Sequence, residues 1–481
     1  MATSSTSARV LGHFTSVGWW GVGLASLGIV NALLLVWGSA PSGSVTRQLT
    51  AVICAAVVGG SALLWIALDQ RFERMQVATI LGLALLLRLI ATQASPLLED
   101  DHFRYLWDGL RTATSFDPYR LPPSAFFGNS DLPPRWQDIL GGINNPDIQT
   151  IYGPLLQWVF ALAWWIAPGQ LAPLQALLMT ADMTVLLILV RQGTNRRWLL
   201  AYAVHPLILK EVMACAHPDG LVALTLLLAL VAWQRRHAAR AGAMLGLAVG
   251  TKVAALVALP LLLLAPTMGL NTPEQGPNGW RWALRLGASF AATLALLYGP
   301  FVLAGGSDAS ALGTFGSQWR FNPLLYRLIE TVLPVTAARP VAALLIVAGI
   351  AAICWRWWRN QALAAASTPI PLDAAFVTLL LLSPVLNPWY WLWALALSVH
   401  RGRFAIAITS VIAVVSYFNS SVLLEAGWVI RTQPAAPYLV PWPLALLQVT
   451  VLLCALLMDA ARTQHHSSAV MNVDPIQRCP R

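Results

Sequence analysis

The stretch Leu98-Glu99-Asp100-Asp101-His102-Phe103-Arg104-Tyr105-Leu106-Trp107-Asp108-Gly109 sets three consecutive carboxylates, a cation and several aromatic rings directly after a run of apolar segments. Charges crowded at the end of a membrane helix are expensive to hold, and chemistry is a common reason to keep them. The stretch therefore reads as part of a membrane-embedded enzyme. If it is helical, Asp100 lies one turn before Arg104, while Asp101, Tyr105 and Asp108 share another face. The plainer alternative is a capped helix start with an Asp100–Arg104 surface pair, which leaves the remaining acids, Tyr105 and Trp107 without a reason.

Composition supports the membrane setting. The chain has 481 residues, 57% of them hydrophobic and only 10% charged, and its mean hydropathy is +0.65. These values exclude an ordinary soluble domain. The formal charge of +10 comes from short basic clusters between apolar runs, the pattern of a multi-pass protein rather than of a nucleic-acid binder. The five cysteines are scattered without C-x-x-C spacing, so neither a disulfide framework nor a zinc site is implied.

Windows of roughly 20 apolar residues predict an all-α polytopic membrane protein with roughly 11–13 transmembrane helices, broken or re-entrant segments included. The clearest runs are Val17–Trp37, Leu49–Leu68, Val77–Gln93, Leu174–Val190, Leu221–Trp233, Leu284–Leu303, Val341–Trp355, Phe404–Leu424 and Leu439–Met458. The first is long enough to remain as an uncleaved anchor despite the Gly38-Ser39-Ala40 that follows it. Placing the clusters around Arg71, Arg196, Arg235, Arg281, Arg356 and Arg401 in the cytoplasm puts 94–150 outside, with the loops around His217 and Trp319. Pro168-Gly169 divides Ile151–Val190, Lys252 interrupts Ala241–Ala265, and Pro384 with Asn387-Pro388 interrupts Ala374–Leu397. Such breaks are tolerated where they line a cavity. The expected organisation is N-terminal helices over 1–93 and a large first catalytic extracytoplasmic loop over 94–150, carrying juxtamembrane helices. A helix bundle with a donor-lipid cavity follows over 151–458, then a polar, disordered cytoplasmic tail over 459–481. Trp107, Tyr119, Phe126, Phe127 and Trp136 suit short helices in the headgroup layer.

Asp100 through Gly109, then Asp117-Pro118-Tyr119 and Thr150-Ile151-Tyr152-Gly153-Pro154, resemble the first outer loop of bacterial polyprenyl-phosphate-dependent mannosyltransferases of the membrane-integral C superfamily. The resemblance continues through Tyr202-Ala203-Val204-His205-Pro206, His217-Pro218-Asp219, Gly246-x4-Thr251-Lys252 and Ser383-Pro384-x2-Asn387-Pro388-Trp389-Tyr390. His205 stands where the family usually has Asn, Asn387 where it often has His, and Pro218 where a polar residue is more usual. These departures leave the loop chemistry intact and the sugar open. The resemblance implies a polyprenyl-phosphate-linked sugar donor, a glycan or glycolipid acceptor, membrane lipid around the fold, and an active site on the periplasmic or extracellular side of the cell membrane.

The residues suit that reaction. Phosphate leaves without needing a proton, so a single carboxylate base is enough and a single displacement inverts the anomeric carbon. Asp100 is the first candidate for the base and Asp101 the second, with Glu99 read as a helix-terminus acid. Lys210 and Lys252 are the only lysines. Lys252 sits within an apolar segment and matches the family motif, so it is assigned to the donor phosphate. Lys210, beside Glu211, reads as a snorkelling interfacial residue. Arg104, Tyr105, Asp108 and Tyr152 are further binding candidates. His217 and Asp219, expected on a short external turn, could orient an acceptor or join a divalent cation with the loop acids. Trp389 and Tyr390 could stack a sugar, Gln318–Pro323 could contact either substrate, and Arg88 could pair with Asp100 or Asp182. Two other classes stay open: a transporter or flippase of a lipid-linked or anionic solute, and an assembly partner that has lost the reaction. No Gly-rich phosphate loop is present for a nucleotide sugar.

Overall fold

The computed structural model describes residues 18–40, 43–264, 279–363, 369–427 and 439–471, with side chains described in all but 361–363 and 462–471. The described residues are helical apart from turns and one isolated bridge between Phe321 and Val385. In chain order the helices are α1 (Trp19–Gly38), α2 (Val45–Leu68), α3 (Val77–Ala91), α4 (Asp101–Thr114), α5 (Pro134–Gly141), α6 (Pro154–Ile166), α7 (Ala172–Arg191), α8 (Arg196–Ala203), α9 (Asp219–Gln234) and α10 (Ala238–Thr251). They continue with α11 (Leu259–Leu264), α12 (Gly279–Leu303), α13 (Ala309–Gln318), α14 (Leu325–Val332), α15 (Val335–Leu363), α16 (Leu372–Leu382), α17 (Leu392–His400), α18 (Ala405–Ile412), α19 (Ser420–Glu425) and α20 (Trp442–Met471).

Six of these are long and apolar enough to cross a membrane alone, namely α1, α2, α7, α12, α15 and α20. Their outward faces carry Leu296, Leu303, Leu344 and Leu457, all exposed, as helices facing lipid require. The centre is different. Leu392 to Val399 of α17 are all buried, so this helix is apolar on every side and enclosed by its neighbours, α9, α16 and α18. The arginine inside α3 is neutralised there: Arg88 Nε lies 2.5 Å from Asp182 of α7, whose other oxygen accepts from Tyr202, and both charges are buried. Of the two sequence alternatives, Asp182 is the partner.

The expected interruptions are present. Helix α10 ends at Thr251, and Lys252 is extended (φ −144°, ψ 129°) before a 3-10 turn at Val253–Ala258. Helix α16 stops at Leu382, ahead of Pro384, and the chain resumes through a 3-10 turn at Pro388–Trp391. Pro168-Gly169 separates α6 from α7, and the 13 residues of α6 reach only about 20 Å, less than the ~30 Å of a bilayer core. The run Phe404–Leu424 is not one helix but α18, a 3-10 turn at Ala413–Tyr417 and α19. A break absent from the sequence reading precedes α9, where a π-helical turn at Ile208–Ala214 meets it at 110°.

Residues 94–150 fold as a lid. Three of its five aromatic residues singled out above, Trp107, Phe126 and Trp136, belong to a small core of its own, while Tyr119 packs on Phe301. Trp107, Ile139, Leu140 and Ile143 are buried together with Phe103, Phe126 and Trp136 against them; Phe127 alone of the five expected anchors is exposed. Helix α4 lies so close to α6 that a Cβ on Gly109 would meet the Phe160 carbonyl oxygen at 2.6 Å. The predicted tail opens as a continuation of α20 to Met471; residues 472–481 lie outside the described residues.

Gly153 packs on the backbone of Gly250 and Thr251, which brings the end of the lid against the break at Lys252. A Cβ there would collide with the Gly250 carbonyl, and backbone cannot give way as a side chain can. Gly153→Ala is expected to destabilise the fold by about 1–3 kcal/mol, whereas Gly82→Ala, inside α3 with open space around it, is expected to stabilise it by about 0.5–1 kcal/mol. Thermal unfolding of the two variants in lipid nanodiscs checks this.

Candidate active site

The lid and the broken helices enclose a cavity of about 790 Å³, within the size range of small-molecule sites. Glu99, Asp100, Asp101, Arg104, Tyr152 and Lys252 line one part of it; Trp319, Arg320, Phe321, Asn387, Trp389 and Tyr390 line another. Residues far apart in sequence therefore converge on one space, including Gln318 to Phe321 of the Gln318–Pro323 segment.

Leu98 sets up the acids. It adopts a left-handed φ of 58°, which disfavours a branched side chain, and its amide donates to Gln48 Oε1 at 2.9 Å. The chain then turns into α4, with Asp100 preceding the first turn and Asp101 within it. Asn144 Nδ2 donates to Asp100, and to Asp101 Oδ1 at 3.1 Å. Tyr152 Oη donates to Asp101 Oδ2 at 3.2 Å, and His217 Nε2 lies 3.7 Å from the same oxygen. The Asp100–Arg104 pair of the plainer alternative is not formed. Arg104 turns the other way and donates to the carbonyls of Asn145 and Ile148, closing the lid end on α4.

The two neighbouring carboxylates are in contrasting environments. Burial would raise Asp101, but its contacts with His217 and Asn144 and the charge of Lys252 draw it down to about 2. Burial and the adjacent Asp101 charge hold Asp100 above the ordinary aspartate range. Burial pushes Glu99 up to about 8, against the opposing pull of Lys210 and His217. Glu99, just ahead of Asp100 at the start of α4, also lines the cavity.

Lys252 is held where its helix breaks. Its Nζ lies 3.1 Å from Asp219 Oδ1 and 3.2 Å from Oδ2, with Trp393 Nε1 donating to Oδ1 at 2.7 Å. It also stands 4.8 Å from the ring centre of Tyr390. An ammonium has three N–H donors, so these contacts leave one for the cavity.

Several expectations are corrected by this geometry. His217 and Asp219 do lie at a turn between two helices, but the turn is fully buried rather than exposed, with ionic partners that make burial tolerable. Lys210 does not snorkel; it is buried, 3.2 Å from Glu211 and hydrogen-bonded to Tyr417. Trp389 is not a free platform, since His217 stacks on it at 3.6 Å with 15° between planes. Tyr390 stacks on Trp393 at 4.4 Å. Tyr105 and Asp108 lie behind the cavity: Tyr105 stacks on Phe160, and Asp108 accepts from Gln157 at 3.2 Å. Glu211, Cys215 and His217 have ligand atoms within 4.8 Å of one another, but the Lys210 ammonium already supplies the positive charge there. Glu211 and His217 belong to an ion-pair network with Lys210, and the Cys215 thiol donates to the Leu97 carbonyl.

The family described as Alpha-(1->6)-mannopyranosyltransferase, N-terminal domain, matches residues 9–268, more than half of the chain. The chain belongs to this family. It is accordingly a membrane mannosyltransferase of the C-superfamily type. No curated protein and no solved structure matches it. The match takes in the lid acids, Tyr152, His217, Asp219 and Lys252 of the mannosyltransferase, and stops before Trp389 and Tyr390.

Glu211, Tyr417 and Asn144 are residues of this site that the sequence reading did not single out. Glu211 alone carried a signal, as a carboxylate within an apolar run.

Asp108 gives a prediction that depends on burial alone. Burial outweighs the Arg104 charge and the Thr150 and Gln157 hydrogen bonds and raises it to about 6. A carboxyl raised on folding from 3.8 favours the neutral form, so its unfavourable contribution sets in as pH rises through that window and is complete above 6. Asp108→Asn is therefore expected to raise the thermal midpoint of the mannosyltransferase at pH 7.5, by the equivalent of about 1–3 kcal/mol. The advantage should vanish below pH 4 in a pH series of melting curves.

Proposed function

We propose that this mannosyltransferase moves mannose from a polyprenyl-phosphate donor to a glycan or glycolipid acceptor on the extracytoplasmic face of the cell membrane, with inversion. The observation that carries the reading is the pair Asp100 and Asp101 at the wall of a cavity that also holds Lys252. Two adjacent carboxylates pushed in opposite directions divide an acid–base task. Asp101 is the anchored, permanently charged member, and Asp100 is the basic one.

In this scheme the Asp100 carboxylate takes the proton of the acceptor hydroxyl as that oxygen bonds to the anomeric carbon from the face opposite the leaving group. The bond between the anomeric carbon and the phosphate oxygen breaks with its electron pair going to phosphate. Polyprenyl phosphate departs, its charge met by the free N–H of Lys252 and by Arg320, both at the cavity wall. The family's α-(1→6) linkage points to a primary 6-hydroxyl as the attacking group. Such a hydroxyl is a poor nucleophile until a base removes its proton, so the loss of that base falls on kcat. The aromatic side of the cavity, Trp319, Phe321 and Tyr390, supports binding of sugar rings.

Transfer of labelled mannose from polyprenyl-phosphate mannose by the purified protein in lipid tests the reading. Asp100→Asn is expected to lower kcat by about 10²–10⁴-fold with donor KM little changed. The wild-type rate should fall on the acid side of a limb that lies above the ordinary aspartate range, because the base must be ionised. Lys252→Met is expected to raise donor KM about tenfold. Transfer by Asp100→Asn at the wild-type rate would remove the base assignment.

A further inference from the structure

Behind Asp101 lies a buried group of charged side chains to which sugar transfer, as described, gives no role. The π-helical turn at Ile208–Ala214 carries Lys210 and Glu211 side by side, both buried. Single π turns often mark functional sites. The chain leaves this one by an unusual route. Ala216 is fully buried with φ 58°, a conformation costing about 1–3 kcal/mol for a residue other than glycine, and the His217 amide donates back to the Glu211 carbonyl at 2.8 Å. The result is that the His217 ring returns to the side chain of Glu211, with Nδ1 3.2 Å from Oε2.

The ring is then fixed on three sides. Glu211 Oε2 faces Nδ1 at 3.2 Å and Asp101 Oδ2 faces Nε2 at 3.7 Å, ionic contacts without hydrogen-bond geometry, and Trp389 covers one face. Glu211 is itself held by the Tyr417 hydroxyl, which donates to Oε1 at 2.9 Å, and by Lys210 at Oε2. Every ionisable group facing the ring belongs to this arrangement or to the cavity wall. Asp101 and Tyr105 come from α4, with Glu99, Asp100 and His102 beside them; Glu211, Cys215 and Lys210 come from the π turn and its exit; Tyr417 and Lys252 lie farther out.

We propose that Glu211 is a positioning residue for sugar transfer, fixing the His217 ring and its proton so that Nε2 meets Asp101 and holds that carboxylate charged beside Asp100. This rests on the assignment of Asp100 as base. Without Glu211 the ring loses an anionic partner, the positive charge next to Asp101 is withdrawn, and Asp101 competes with Asp100 for a proton. Loss of a neighbouring cation raises carboxylate pKa values, so the acid limb of the rate profile must move to higher pH.

The experiment compares wild type, Glu211→Gln, the double variant Lys210→Met with Glu211→Gln, Tyr417→Phe and Asp100→Asn. Each is purified in lipid and assayed with polyprenyl-phosphate mannose across pH. The double variant removes the ion pair as a unit, so no ammonium is left uncompensated. Both Glu211 variants are expected to lose about ten- to a hundredfold in kcat at neutral pH, with donor KM within about twofold and the acid limb moved up by roughly one pH unit. Tyr417→Phe removes the hydrogen bond that the hydroxyl gives to Glu211 and the one it accepts from Lys210, leaves the Lys210–Glu211 ion pair in place, and should show a smaller shift of the same sign. A folded double variant with the wild-type limb and kcat overturns the proposal, as does a loss confined to donor KM. Should the Glu211 variants fail to fold, an unmoved limb in Tyr417→Phe overturns it as well. Transfer retained by Asp100→Asn would instead show that the base assignment failed.

Discussion

The structure depends on one constraint: charges placed inside an apolar bundle must each find a partner. Arg88 with Asp182 and Lys252 with Asp219 are cross-links between segments that apolar packing alone would leave free to slide, and the neighbours Lys210 and Glu211 are tied to a distant segment through Tyr417. Buried ion pairs add little net stability relative to apolar packing, yet removing one member leaves an uncompensated charge, which costs several kcal/mol. They therefore fix register more than they add stability. Asp219 begins α9 and Lys252 follows α10, so this pair ties together the ends of two helices in a hairpin. Trp393, in α17, locks the same carboxylate from the other side.

The breaks in the helices follow from the same constraint. A helix running unbroken through Lys252 would turn that side chain with its turn of the helix, whereas an extended residue at 252 lets it reach Asp219 while Tyr152 and Tyr390 come near its ammonium. The π turn before His217 and the left-handed Ala216 act likewise on a second pair of groups. Backbone outside regular helix at these positions needs partners for its N–H and C=O groups, and a protein-lined cavity supplies the setting in which that is tolerated. The cavity and the irregular backbone are thus one feature.

Much of this was legible in the sequence. Apolar runs and their lengths located the helices, and prolines with Lys252 located the breaks, because these signals are local. The acidic stretch at Glu99–Asp101 announced itself through the cost of charge at a membrane boundary. Partners were not legible, since pairing is a property of the assembled bundle. Asp100 and Arg104 have the right spacing for a helical pair, but the helix begins only at Asp101 and Arg104 is drawn to the carbonyls of Asn145 and Ile148. Lys210 looked interfacial beside a single acid, whereas Tyr417, some two hundred residues on, makes its burial possible. Trp389 looked like a sugar platform, and its face is taken by a histidine that a strained alanine delivers.

The lid shows what a local signal leaves out. Its aromatic residues have the composition of headgroup anchors, and nothing in their spacing says which of them pack on one another. What decides is that Trp107, Ile139 and Leu140 face one another once α4 and α5 fold together, giving the lid a core independent of the bundle. A lid with its own core can be held as a unit on α6 through the close contact at Gly109 and the hydrogen bond of Thr112 with Gln157. Gln157 also donates to Asp108, so the buried face of α4 is pinned by polar contacts while its first turn presents Asp101 to the cavity. The division between an anchored face and a reacting end lets one short helix carry both the stability of the lid and the carboxylates at the wall.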